Sequence, residues 1–126
     1  MAKNIIKINR GDSYEFRVCI PDNKDNTKNF ILTDEDVVYF ALLFPHQRFE
    51  EAILIKGYDH TDQIVENGIN TGEILVKIEP KDTKRLIPGI YYYTVKLQRG
   101  GTFDGDGEDA EEIRTIIERT KFIINE

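Results

Sequence analysis

P-K-D-T-K-R-L-I-P-G-I-Y-Y-Y-T-V-K-L, from Pro80 to Leu97, contains a complete change of chain direction. Pro80 sets φ for a first helical turn, and Asp82 and Thr83 carry side chains that bond nearby backbone, so Pro80 to Leu86 forms one tight polar turn. Pro88-Gly89 then reverses the chain. Beyond it Tyr91, Tyr93, Val95 and Leu97 alternate with Tyr92, Thr94 and Lys96, the period of a strand with one buried face.

Upstream, Ile74, Val76 and Ile78 alternate with Leu75, Lys77 and Glu79, which predicts a strand running into the Pro80 turn. Asn67-Gly68 and Thr71-Gly72 read as turn dipeptides, with a short strand at Gln63 to Val65 before them. A further strand is expected over Ala52 to Ile55, ending at Gly57. Val37 to Phe44 is an unbroken apolar run bounded by Asp36 and Pro45, the signature of a strand covered on both faces. Val38, Phe40, Leu42 and Phe44 are assigned to the core, and Val37, Tyr39, Ala41 and Leu43 then need a second cover.

Nearer the start, Ile6 and Ile8 mark a short strand that stops at Arg10-Gly11-Asp12. That tripeptide matches an integrin-type adhesion motif, but turn chemistry between two strands explains it. Tyr14, Phe16, Val18 and Ile20 form the apolar side of the next strand, leaving Cys19 on the polar side. Pro21 to Asn29 and Gln98 to Ala110 are polar or glycine-rich and read as long loops. The segment Glu112 to Asn125 admits two readings: Ile113, Ile116, Ile117 and Thr120 fit a helical period, whereas the β-branched Thr115, Ile116 and Ile117 favour extension. A strand with a bend near Glu118-Arg119 is the expectation.

The chain has 126 residues, enough for a single domain over 1–126 with a real core. Seventeen basic against 23 acidic residues leave a net charge of −6, which disfavours a nucleic-acid partner. Cys19 is the only cysteine, so no intramolecular disulfide can form. The N-terminal apolar run is too short for a secretory signal, and no run reaches the length of a membrane span. About seven short strands separated by turn signals predict an all-β sandwich.

The segment with Leu86, Pro88-Gly89, Tyr91, Tyr93, Val95 and Leu97 resembles the corner that leads into strand F of immunoglobulin-like domains, where a tyrosine hydroxyl bonds backbone upstream. Tyr91 is the candidate for that role. With Val38, Phe40 and Leu42 ahead of it, the pattern is similar to small immunoglobulin-like β-sandwich domains of bacteriophage and prophage virion proteins, including the N-terminal domain of baseplate upper proteins. The family usually has an acidic residue after the second tyrosine, where this chain has Thr94. The resemblance implies a structural protein of the tail, baseplate, neck or head fibre, made in the host cytoplasm and housed in the virion. It implies self-assembly and docking to other virion proteins, with no catalytic residues and no cofactor. The alternative is a binding module that recognises a cell-surface glycan or protein through its long loops.

Chemistry is sparse in the sequence. His46 and His60 lie apart with no zinc-ligand spacing. Ser13 has no nucleophile elbow around it, and Gly100-Gly101 is not followed by a phosphate-binding helix. In the acidic stretch Phe103 to Asp109, the side chains of Asp104, Asp106 and Glu108 offer oxygens to Ca²⁺, but the other ligands of a helix-loop-helix calcium site are missing. The surface is more informative: Ile90 and Tyr92 should face outward beside Val37, Tyr39, Ala41 and Leu43. An apolar patch of that size seldom stays bare on a monomer, so these residues are the candidate interface; the alternative is that the Phe30 to Leu32 segment or the N-terminal arm folds over this face.

Overall fold

The computed structural model describes residues 4–22, 24, 27–102 and 108–126. Their strands are β1 (Ile6–Asn9), β2 (Tyr14–Cys19), β3 (Asp36–Leu43), β4 (Leu54–Asp59), β5 (Gln63–Glu66), β6 (Ile69–Ile78), β7 (Gly89–Arg99) and β8 (Glu112–Asn125), with a single helical turn α1 (Pro80–Thr83) between β6 and β7. They form a five-stranded sheet in the order β1-β8-β7-β3-β4 and a three-stranded sheet in the order β2-β6-β5. This is an immunoglobulin-like sandwich. Strands β2, β6 and β5 take the places of B, E and D, and β3, β7 and β8 those of C, F and G, while β4 adds the extra edge of variable-type domains. Strand β1 joins by parallel pairing with β8, Ile6 opposite Phe122.

The inward faces meet in one aromatic-rich core. Phe40 and Tyr93 stack at 5.8 Å between ring centroids. Phe16 and Phe122 approach both rings edge-on, an arrangement favoured by the ring quadrupoles. Val38, Leu42, Val95, Leu97, Ile74, Val76 and Ile78 fill the space around them. The Tyr93 hydroxyl donates to the Asn4 carbonyl at 2.5 Å. Burial, with Tyr14 nearby, pushes its pKa up to about 12.

Three strand assignments are corrected by packing. Phe44 is half exposed rather than in the core, because β3 ends at Leu43 and Pro45 follows. Strand β4 does not end at Gly57 but runs through it to Asp59. Gly57 pairs with Tyr39, and a Cβ on Gly57 would lie 3.3 Å from Tyr39 Cε1, so the ring covers the missing side chain. Thr71-Gly72 is not a turn. It is an irregularity inside β6, where Gln63 pairs with Ile74 and Val65 with Asn70. Gly72 has φ +74, and a Cβ there would collide with the Phe30 carbonyl, so only glycine fits the close approach. Asn67-Gly68, by contrast, is the expected hairpin turn, both residues at positive φ.

The C-terminal segment is one strand, and its pairing explains the ambiguous period. Tyr93 pairs with Thr120 and Val95 with Ile117, so Glu118 and Arg119 bulge at the expected bend. A second bulge follows at Ile116, since Lys96 pairs with Thr115. Each bulge shifts the pleat by one residue. Arg114, Ile117 and Thr120 therefore all fall opposite inward residues of β7, at a spacing that mimics a helix.

Candidate docking surface

On the outer face of the five-stranded sheet Leu43 lies opposite Tyr92, Ala41 opposite Thr94 and Tyr39 opposite Lys96. These residues are neighbours as expected, but they are not bare. The connection between β3 and β4 folds back across them, and its Phe49 ring meets Tyr39 edge-on at 6.3 Å. Lys96 Nζ stands 4.9 Å from the centre of the Phe49 ring, a cation–π contact. Arg119, in the bulge of β8, donates to the carbonyls of Pro45 and Gln47 and pins the same segment. Val37, Tyr39, Ala41 and Leu43 are thereby buried within one chain, which corrects the expectation that they form a bare interface. Leu32 enters the main core instead of covering this face, its N–H and carbonyl clamped by the buried Gln63 side chain. Phe49 escapes a periodic reading because it is a lone aromatic in the polar run Gln47 to Glu51.

An exposed apolar surface lies at the Pro-Gly corner. Glu79 N–H donates to Asp82 Oδ2 at 2.7 Å, and Lys56 Nζ lies 2.7 Å from the same oxygen, so α1 is locked to β4. Thr83 is wholly buried, and its Oγ1 accepts from Gly11 N–H at 2.9 Å. The Arg10-Gly11-Asp12 turn is thus tied to α1, and Arg10 pairs with Glu126 at 3.0 Å. Tyr91 donates from its hydroxyl to the Ile87 carbonyl at 2.5 Å, the upstream bond expected of the corner tyrosine. Replacing Tyr91 by phenylalanine is expected to lower stability by about 1 kcal/mol. Urea unfolding checks this, and an unchanged midpoint would remove the assignment.

Around this corner the structure leaves a hollow of about 450 Å³ lined by Leu86, Pro88, Gly89 and Tyr91 together with Phe44, Ile87 and Ile90, with Arg85 as its one charged residue. Ile87 is 78% exposed, Ile90 53% and Phe44 49%. Of the expected interface residues Ile90 is thus exposed here, and Tyr92 is half-buried beside Leu43. Ile87 and Phe44 join them only in three dimensions, Phe44 because its ring leans on Tyr91 at 5.4 Å.

The reactive side chains are quiet. Cys19 donates from Sγ to Glu73 Oε2 at 2.9 Å, and that bond, followed by partial burial, pushes the thiol pKa up, away from the nucleophilic thiolate. Among the described residues no group of three or more His, Cys, Asp and Glu side chains is placed to hold a metal. Of the acidic stretch weighed for Ca²⁺, Phe103, Asp104 and Asp106 lie outside the described residues. Asp109 accepts from the N–H and hydroxyl of Thr102, both at 2.8 Å. No described helix is long and apolar enough to cross a membrane. Compared with family models, curated proteins and solved structures, the chain matches none.

Proposed function

We propose that this protein is a structural component of a bacteriophage or prophage particle that works by assembling with copies of itself and with other virion proteins. The observation that carries the reading is the largely apolar hollow at the Pro-Gly corner, where the exposed side chains of Phe44, Ile87 and Ile90 line one concave surface. Removing an isoleucine side chain from water is worth about 1.5–3 kcal/mol, so a contiguous trio favours a partner. The corner is also rigid, held by the Tyr91 bond and the Lys56–Asp82 pair, which reduces the ordering cost of docking.

Sedimentation of the purified chain tests the reading. A concentration-dependent oligomer is expected, and Ile87→Glu combined with Ile90→Glu should return it to a folded monomer with an unchanged far-ultraviolet circular dichroism spectrum. A wild-type chain that stays monomeric at every concentration would overturn self-assembly. Portal, capsid or tail genes beside this one are the expected genomic setting, and their absence from the neighbourhood would argue against the particle assignment.

A further inference from the structure

A second surface, separate from the corner, is built around the outer side of β4. A groove of about 650 Å³ runs between the turn before β3 and the 3-10 turn after β4. Its floor is apolar: Val37, Ile55 and the Tyr39 ring that lies over Gly57. Its walls carry Asp34, Asp59 and Asp62, with Asp36 at the back and His60 beside them. Arg99 is already committed to Asp36 at 3.0 Å, so it does not neutralise the others. Asp59 accepts from Thr61 N–H at 2.9 Å, and Asp62 accepts from Asp59 N–H at 2.9 Å, which fixes both carboxylates in place.

The adjoining edge is open. Strand β4 ends its sheet, and no described strand pairs along its other side. Its inward side chains are occupied, Lys56 by Asp82 and Tyr58 by the Lys77 N–H at 3.2 Å. An extended segment laid against β4 would satisfy the free backbone groups of the edge and place alternate side chains next to Ile55, Gly57 and Asp59. The stems of lysine or arginine suit the apolar floor, and their charged heads reach the aspartates.

We propose that β4 is a docking edge for an extended, lysine- or arginine-bearing segment of a partner protein, read by the aspartate-walled groove beside it. A second copy paired symmetrically along β4 is the poorer occupant, because a two-fold pair centred between Lys56 and Gly57 sets Asp59 opposite Leu54 and brings no cation to the aspartates, Lys56 being held by Asp82 on the inward side.

The test is an NMR titration of the ¹⁵N-labelled chain with blocked peptide Lys-Thr-Lys-Thr-Lys-Thr. Shifts are expected at Ile55, Gly57, Asp59 and His60, and none with the glutamate-threonine peptide of the same length. Asp34→Asn combined with Asp62→Asn retains side-chain acceptors and should weaken binding by about tenfold. Glu15→Gln combined with Glu66→Gln removes the same charge from the opposite sheet and should leave binding nearly unchanged. Equal weakening in the two double variants would overturn the proposal, as would equal shifts with Ca²⁺ alone, since a bare cation makes no use of the apolar floor or the strand edge. None of these outcomes depends on the state of the Ile87–Ile90 corner.

Discussion

Asp36→Ala is expected to destabilise the fold by about 3 kcal/mol at neutral pH. The carboxylate opens β3 and is 1% exposed, yet it meets four donors. Arg99 supplies Nε at 3.0 Å and Nη2 at 3.3 Å, and Thr33 supplies its N–H at 2.9 Å and its hydroxyl at 3.0 Å. Alanine strips all of these at once. The loss falls at the low end of the range of about 3–5 kcal/mol for a broken buried pair, because the Arg99 side chain is one-third exposed and regains water. Burial alone would push the Asp36 carboxyl up, but the bonds from Arg99 and Thr33 outweigh it and hold the pKa below the usual carboxylate value. A depressed folded-state pKa means that this stabilisation is complete above the unfolded value of about 3.9 and is lost as pH falls through the lower folded value. Denaturant titrations from pH 7 downward should therefore show a shallower acid limb in Asp36→Asn than in the original chain. Identical limbs would mean that Asp36 contributes nothing through its charge.

Phe40→Ala should cost about 4 kcal/mol, within the range for removing a fully buried aromatic. Phe40 is completely inaccessible and touches Phe16, Tyr93 and Phe122, which come from three other strands, so no single neighbour can collapse into the space it leaves. Domains of this kind typically hold only about 5–15 kcal/mol in total, and the variant would be partly unfolded on mild warming. Phe16→Ala is the internal comparison. That ring is partly exposed, and its removal should shift the unfolding midpoint less. Equal shifts would show that the aromatic cluster is looser than its geometry.

Alternation made the inward faces of β6 and β7 legible, the unbroken apolar run marked β3 as a strand covered on both sides, and the Pro80 to Leu97 corner could be read down to the donor in its key hydrogen bond. What stayed hidden depends on contacts between distant segments. Phe49 looks like a loop residue until the β3–β4 pairing places it over Tyr39. Gly57 looks like a strand end until that same ring fills its face. Asp34 and Asp62 sit on two connections and Asp59 at the end of β4, with no shared motif, and only the return of β4 alongside β3 gathers them into a groove. The corner patch was half visible: Ile90 follows from the phase of β7, whereas Ile87 and Phe44 need the turn to be built before they face water together.

The parallel pairing of β1 with β8 carries a consequence for synthesis. Ile6 and Ile8 leave the ribosome early, but their mates Phe122 and Ile124 emerge only after every other described strand. Sandwiches dominated by such distant pairings fold slowly. Until β8 arrives, the sheet margin that it will occupy is sticky and unguarded, so the nascent chain is at its most vulnerable to chaperone capture or misassociation just before that strand emerges.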